Sequence, residues 1–284
     1  MESQGGNLIP LRDYRPSGIV PYVTLALIVL NAVAFVYTLT YSDRTLVPLD
    51  RCVWEQTFRQ PAPGFDPLLY RRYGQGCLYL VTERDRFVIQ YGLIPAEFWS
   101  GKDLPPLTPF PIWVTLFTAM FLHGGWLHLL SNMWYLWLFG DNVEAALGRG
   151  RFLVFYLLSG VGAALLQMAV YPRTTAPMIG ASGAIAGVMG AYLVLYPWAR
   201  VLTLVPVFFF VQLVEVPAFL LLGLWFVLQF LSGLVDRSAM GGVAWFAHLG
   251  GFITGALLVL VLKRREVVPG LVAWLRRRRS PWGR

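Results

Sequence analysis

The chain has 284 residues, of which 57% are hydrophobic and only 13% charged, with a formal net charge of +8. About a quarter of the residues of an ordinary soluble domain are charged, so this composition excludes one. In a soluble protein such a positive excess points to nucleic acid; here its distribution along the chain points instead to membrane topology.

Charge-free apolar runs fall near residues 18–40, 110–140, 152–172, 174–199, 201–235 (interrupted by Glu215) and 238–262. Runs of about 20 apolar residues are long enough to cross a bilayer, and only helices or closed barrels satisfy their backbone there. The expected fold is therefore an all-α integral membrane protein of six helices. Residues 1–17 form a lead, 18–262 the membrane domain with a long first loop at 41–111, and 263–284 a basic tail.

The lead contains Asp13 beside Arg12 and Arg15, and the first run is too long for a signal peptide and lacks an Ala-x-Ala site. It is expected to stay as the first helix. In the long loop, Leu78–Thr82 and Phe87–Tyr91 flank Glu83-Arg84-Asp85-Arg86, a pattern open to a hairpin or to a turn between interfacial helices. Cys52 and Cys77, the two cysteines of the chain, both lie in this loop. An oxidising extracytoplasmic location allows them a disulfide, and two unpaired thiols are the alternative.

The second helix is expected to start near Gly125. His128 and Asn132 are then four residues apart on one face, two hydrogen-bonding side chains in an otherwise apolar helix, where lone polar groups are costly. His123 lies off that face, at the loop edge, as a structural hydrogen-bonder. Gly140-Asp141-Asn142-Val143-Glu144 reads as the polar stop of this helix. In the third helix, Gly160 and Gly162 allow close packing and Gln167 serves as interhelical glue.

The fourth helix opens on Ile179-Gly180-Ala181-Ser182-Gly183-Ala184-Ile185-Ala186-Gly187. Small residues around Ser182 let other groups approach its hydroxyl. The same spacing is common wherever membrane helices pack closely, so the serine becomes a nucleophile only if a base meets it. The run 201–235, with Pro206, Glu215 and Pro217, reads as an interfacial turn followed by one crossing from about 215. The sixth helix contains His248, with Ala247, Gly251 and Gly255 forming a small-residue face. A glycine-faced neighbour, the fourth helix, is its natural partner, which brings His248 to Ser182.

Arg12, Arg15, Arg149, Arg151, Arg200, Lys263-Arg264-Arg265 and Arg276–Arg279 all fall on one side of a six-pass arrangement. The positive-inside rule places both termini in the cytoplasm, in a bacterial-type inner membrane or an equivalent. The basic tail suits anionic lipid rather than nucleic acid.

His128-x-x-x-Asn132, Gly180-x-Ser182-Gly183 and Ala247-His248-x-x-Gly251-x-x-x-Gly255, in this order and on these helices, resemble the rhomboid intramembrane serine proteases over residues 110–262. The resemblance implies Ser182 as nucleophile and His248 as its general base, with no metal or organic cofactor. It also implies an oxyanion hole from His128, Asn132 and the Ser182 backbone N–H, with Gly180 shaping the turn and Gly183, Gly251 and Gly255 supporting it. The implied partners are the lipid bilayer and single-pass or other transmembrane protein substrates, cut near the outer face where a helix unwinds. Entry is expected beside the fifth helix, with Phe219, Trp225 and Phe226 as a movable wall. The sequence departs from the family where Trp113 is followed by Val114 instead of arginine. Rival readings are a non-catalytic rhomboid-like protein that binds membrane helices, a proton-coupled transporter using Glu215, and a zinc protease. The first lacks the serine or the histidine, the second needs inverted repeats that are not visible, and the third needs His-Glu-x-x-His.

Overall fold

The computed structural model describes residues 9–15, 17–59, 78–207, 210–235, 244–267 and 270. In chain order the first elements are β1 (Ile9–Asp13), α1 (Tyr22–Thr38), β2 (Leu46–Asp50), α2 (Arg51–Phe58), β3 (Leu78–Thr82), α3 (Glu83–Tyr91) and α4 (Pro95–Ser100). A helical segment over Ile112–Phe121 contains α5 (Thr115–Thr118) between two 3-10 turns and leads into α6 (Trp126–Leu147). Then come α7 (Arg149–Val170), α8 (Ser182–Leu195), β4 (Arg200–Val207), β5 (Phe210–Pro217), α9 (Ala218–Val235) and α10 (Trp245–Leu262).

The helices α7, α9 and α10 are long and apolar enough to cross a membrane. Ile112–Phe121 and α6 qualify as a pair but bend by 84° at the break between them. The apolar helices α1 and α8 are shorter, at 17 and 14 residues. Of the six crossings expected from the sequence, three thus have full-length helices, one is a bent pair and two are short. α8 lies at the centre: Ala184, Ala186, Val188, Ala191 and Tyr192 are all buried, while α1, α7 and α9 show long apolar side chains outwards, as lipid-facing helices do.

The expectation of an all-α chain is corrected, because the mostly helical fold includes two small sheets. β1, β4 and β5 form an antiparallel sheet in the order β1-β4-β5. Ile9 pairs with Leu204 and Asp13 with Val201, while β4 and β5 pair from Arg200–Pro217 to Val207–Phe210. The segment read as an interfacial turn is therefore two paired strands. Its valines and Thr203 carry the β preference, with Val201 and Thr203 facing inwards. The lead is also structured. Asp13 accepts hydrogen bonds from Tyr192 Oη at 2.6 Å and Asn142 Nδ2 at 2.9 Å, and Trp134 donates to the Pro10 carbonyl. Burial is the main effect on Asp13 and raises its carboxyl above the ordinary range.

Gly140–Glu144 does not end the second helix, which continues to Leu147. Glu144 is fully buried, and its carboxylate accepts from Val23 N–H, Thr24 N–H and the Thr24 hydroxyl at 2.8–3.1 Å. It thereby caps the N-terminus of α1, where orphan N–H groups and the helix dipole favour an anion.

In the first loop, β2 pairs with β3, and residues 87–91 belong to α3. Both patterns weighed for this stretch are replaced. Strand 78–82 has its partner some thirty residues earlier, and a capping box between Thr82 and Asp85 starts a helix directly after it. Trp54 centres a separate apolar cluster with Leu49, Val81, Ile89 and Ile94, and its indole N–H donates to the Pro105 carbonyl.

Glu97 of α4 is buried beside this cluster and accepts from Leu104 N–H at 2.9 Å. Burial, joined by the nearby Asp103, pushes its carboxyl up to about 8 against the opposing hydrogen bond. The folded chain thus keeps a proton that an unfolded glutamate releases near 4.5. Stability from this site is complete below that pH and declines as pH rises towards 8. Amide protection of the loop, followed by hydrogen exchange, is expected to fall between pH 5 and 8 in the wild type and to stay level in Glu97→Gln. An equal pH slope in both proteins would contradict this.

Candidate active site

Ser182 is the first residue of α8, so its backbone N–H has no acceptor within the helix. The turn before it depends on Gly180, at φ +121°, a conformation that residues with a side chain rarely adopt. A Cβ there would lie 2.8 Å from His128 Nε2 and 3.7 Å from Ser182 Oγ, so His128 and Ser182 flank the same point above Gly180. Gly180 N–H donates to the Ala119 carbonyl at 2.8 Å, and Met178 and Leu93 exchange backbone hydrogen bonds. These contacts tie the turn to the segment preceding α6.

His248 lies one turn into α10. Its Nε2 is 2.8 Å from Ser182 Oγ, and its Nδ1 is 2.6 Å from Gln229 Oε1 on α9. The indole of Trp225 lies against the ring with centroids 5.9 Å apart. Gln167 of α7 accepts from Ala247 N–H at 3.1 Å, fixing the residue next to the histidine.

The short Ser182–His248 distance follows from backbone contact between α8 and α10. A Cβ on Gly251 would collide with the Gly183 carbonyl, one on Gly255 with the Gly187 carbonyl, and one on Gly190 with the Phe252 carbonyl. Gly183 also faces Ala163 of α7, which a Cβ would approach to 2.6 Å. The four glycines marked by the sequence as supporting the site each occupy a position that a larger residue could not take without moving a neighbour.

His128 and Asn132 stand on one face of α6, as the spacing predicts. Gly124 N–H donates to His128 Nδ1 at 3.4 Å, which leaves the ring proton on Nε2, the atom directed at Gly180. Asn132 is buried and donates one amide hydrogen to the His128 carbonyl at 2.8 Å; an amide NH₂ has a second to give. His123 stays at the loop edge beside the backbone of Phe121, with its ring buried edge-on to His128 at 5.0 Å.

Beside Ser182 is a cavity of about 50 Å³, bounded by Met120, Gly160, Ala163, Met178, Gly183 and Ala247 among others. Of the expected wall residues, Trp225 and Phe226 pack on Phe252 of α10. Phe219 does not join them; it meets Trp198 at the far end of α9. Cys52 is in disulfide form, and Cys77 lies outside the described residues. Gln229 is the residue that sequence reading missed. The available signal was a lone amide side chain in a charge-free membrane run.

A neutral imidazole in contact with a serine hydroxyl can take the hydroxyl proton, and an N–H of a second histidine beside that serine can stabilise an oxyanion. Residues 111–265 match the family model described as the Rhomboid domain. The chain is 34% identical over 168 residues to rhomboid-like protein 11, chloroplastic, of Arabidopsis thaliana, covering 55% of this chain and 54% of that protein. Rhomboid protein 1, mitochondrial, of Saccharomyces cerevisiae is 29% identical over 182 residues, 61% of this chain and 45% of the yeast protein. The rhomboid protease GluP of Bacillus subtilis is 42% identical over 81 residues, 28% of this chain and 15% of the bacterial one. The chain thus spans about half the length, or less, of these curated relatives.

The glycine contacts yield a direct expectation. In Gly251→Ala the new methyl collides with a backbone carbonyl, which cannot rotate away as a side chain would. Overpacking of this kind costs about 1–3 kcal/mol and separates Ser182 from His248. The melting temperature in detergent should fall, and labelling of Ser182 by a fluorophosphonate should slow. Ala247→Gly, which adds no atom to the crossing, should leave labelling close to wild type. Wild-type labelling in Gly251→Ala would contradict the packing argument.

Proposed function

The chain belongs to the rhomboid family, and from that premise we propose that it is an intramembrane serine endopeptidase working through a Ser182–His248 dyad. The observation that carries this reading is the 2.8 Å contact between His248 Nε2 and Ser182 Oγ, made where facing glycines let α8 and α10 approach backbone to backbone.

In the proposed reaction a substrate carbonyl rests above Gly180. Ser182 Oγ attacks it while His248 Nε2 takes the hydroxyl proton. The oxyanion receives the backbone N–H of Ser182, His128 Nε2–H and the second amide hydrogen of Asn132. His248 then gives its proton to the departing amine, leaving an acyl-serine. A water molecule, deprotonated by His248 in turn, attacks the ester, releases the carboxylic acid and restores the serine. The cavity of about 50 Å³ suits a small side chain at the cut position.

We read α1, the bent segment 112–147, α7, α8, α9 and α10 as six crossings, with both termini on the face opposite Ser182. Several basic residues meet at that end. Arg15 lies over Tyr196 at 4.1 Å and Arg149 over Tyr22 at 4.5 Å. Arg151 donates to the Leu262 carbonyl, and Arg264 covers Gly148, where a Cβ would come within 3.0 Å of its guanidinium. A positive rim at one end of an apolar bundle suits a cytoplasm-like face. The described residues 39–59 and 78–111 then lie on the face where Ser182 opens.

Purified protein in detergent should cleave a single-pass membrane substrate, and Ser182→Ala and His248→Ala should each abolish cleavage. His128→Ala should lower the rate by about 100–1,000-fold, the usual loss for one oxyanion donor. A fluorophosphonate should label the wild type at Ser182, and cleavage should survive EDTA. Cleavage persisting in Ser182→Ala would overturn the mechanism. Failure of the fluorophosphonate to label the wild type would favour a protein that binds membrane helices without cutting them.

A further inference from the structure

The dyad has a third neighbour. For Ser182 to donate its proton, His248 Nε2 must present a lone pair, and the neutral ring then carries its hydrogen on Nδ1. Nδ1 therefore needs an acceptor. Facing it at 2.6 Å is Gln229 Oε1, a side chain on a different helix from both dyad members. We propose that Gln229 is the positioning residue of the site. It accepts from His248 Nδ1–H, selects the tautomer that serves Ser182, and fixes the ring plane towards the hydroxyl. This rests on the proposed dyad chemistry and assigns it a third member.

Three observations carry the inference. First, both ring nitrogens are engaged, one by the nucleophile and one by the amide, so the ring cannot rotate without losing two hydrogen bonds. Second, an acceptor at this place is what a dyad without a carboxylate requires. A carboxylate or amide on the far nitrogen orients the base in other Ser–His and Cys–His sites. A neutral amide can do so within a membrane segment, where a charged side chain is costly. Third, α9 is not packed so tightly that a glutamine would be forced onto the ring. Its buried residues among those described are Ala218, Leu221, Leu222 and Gly233, and Gln229 itself is half-buried. The contact is a specific one made across an otherwise open helix.

α9 is tethered at the opposite end. Ala218 N–H donates to the Ala199 carbonyl and Phe219 N–H to the Pro197 carbonyl, at 2.8 and 2.9 Å. The half that carries Gln229 meets α10 through Gln229 itself, Trp225, Phe226 and Gly233.

The proposal is tested with full-length protein in detergent, using the rate at which a fluorophosphonate labels Ser182 and the proton spectrum of isotope-labelled histidine. With three histidines in the chain, the His248 signal is assigned by its loss in His248→Ala. The wild type should show a downfield Nδ1–H resonance from His248. Gln229→Met, which keeps the volume and removes the acceptor, should lose that resonance and label about tenfold more slowly, the rate equivalent of one hydrogen bond. Gln229→Glu, which restores an acceptor, should recover the resonance and much of the rate. Labelling of Gln229→Met at the wild-type rate would overturn the proposal, as would slow labelling in both variants with the resonance retained in Gln229→Met. A wild type that shows the resonance but takes no fluorophosphonate would instead overturn the protease reading while leaving the Gln229 contact established.

Discussion

The contact of α8 with α10, backbone against backbone, is the constraint on which the site depends. Lipid gives apolar helices no reason to seek one another, so association rests on how closely their atoms approach. Gly183, Gly187 and Gly190 on one helix and Gly251 and Gly255 on the other bring carbonyls against Cα atoms, a geometry in which weak Cα–H···O contacts add up. The same closeness sets the reach of two short side chains. Ser182 Oγ and His248 Nε2 are 2.8 Å apart, and a methyl group between the backbones would push them beyond hydrogen-bonding distance.

Around this crossing several polar side chains of the membrane helices serve a neighbouring element. Glu144 closes the N-terminus of α1. Asn31 folds back onto the Leu27 carbonyl of its own helix. Gln167 and Gln229 approach α10 from α7 and α9, one taking Ala247 N–H and the other the His248 ring. An unmade hydrogen bond is expensive where water is absent. Each of these side chains therefore holds its helix as firmly as it satisfies itself. The histidine ring meets one amide and one hydroxyl, and a second amide holds the backbone N–H of the residue before it.

Much of the site was legible in the sequence, because its residues obey helical spacing. His128 and Asn132 are four apart, as are Gly183 and Gly187 of α8 and Gly251 and Gly255 of α10, so faces and partners can be read directly. What escaped was carried by residues whose partners lie far along the chain. Gln229 sits in a run whose bulk suggested only a wall, and nothing nearby in sequence indicates a histidine nineteen positions away. Glu144 reads as the end of a helix because charges usually are, whereas here the carboxylate serves the first turn of another helix. The sheet β1-β4-β5 was hidden because hydropathy averages over a window. The run Arg200–Val207 is apolar almost throughout, and a short apolar run does not tell a strand from a helix. For His123, spacing indicates the loop edge, and only the packing shows that its ring is turned against His128.

The position of Gln229 bears on how a substrate arrives. On the proposed reading, the wall that a membrane segment must pass is α9, and α9 also holds the base. An α-helix is about 10 Å across with its side chains, and admitting one between α9 and the rest of the bundle would break a 2.6 Å hydrogen bond and disarm the histidine. An extended strand needs only about 4.8 Å from its neighbour, and its exposed carbonyl is the form that Ser182 can attack. The cavity beside the serine, at about 50 Å³, is on the scale of one small side chain. Unwinding before entry thus keeps His248 oriented while the substrate moves in, and a substrate that stays helical meets a site in which the base has lost its partner.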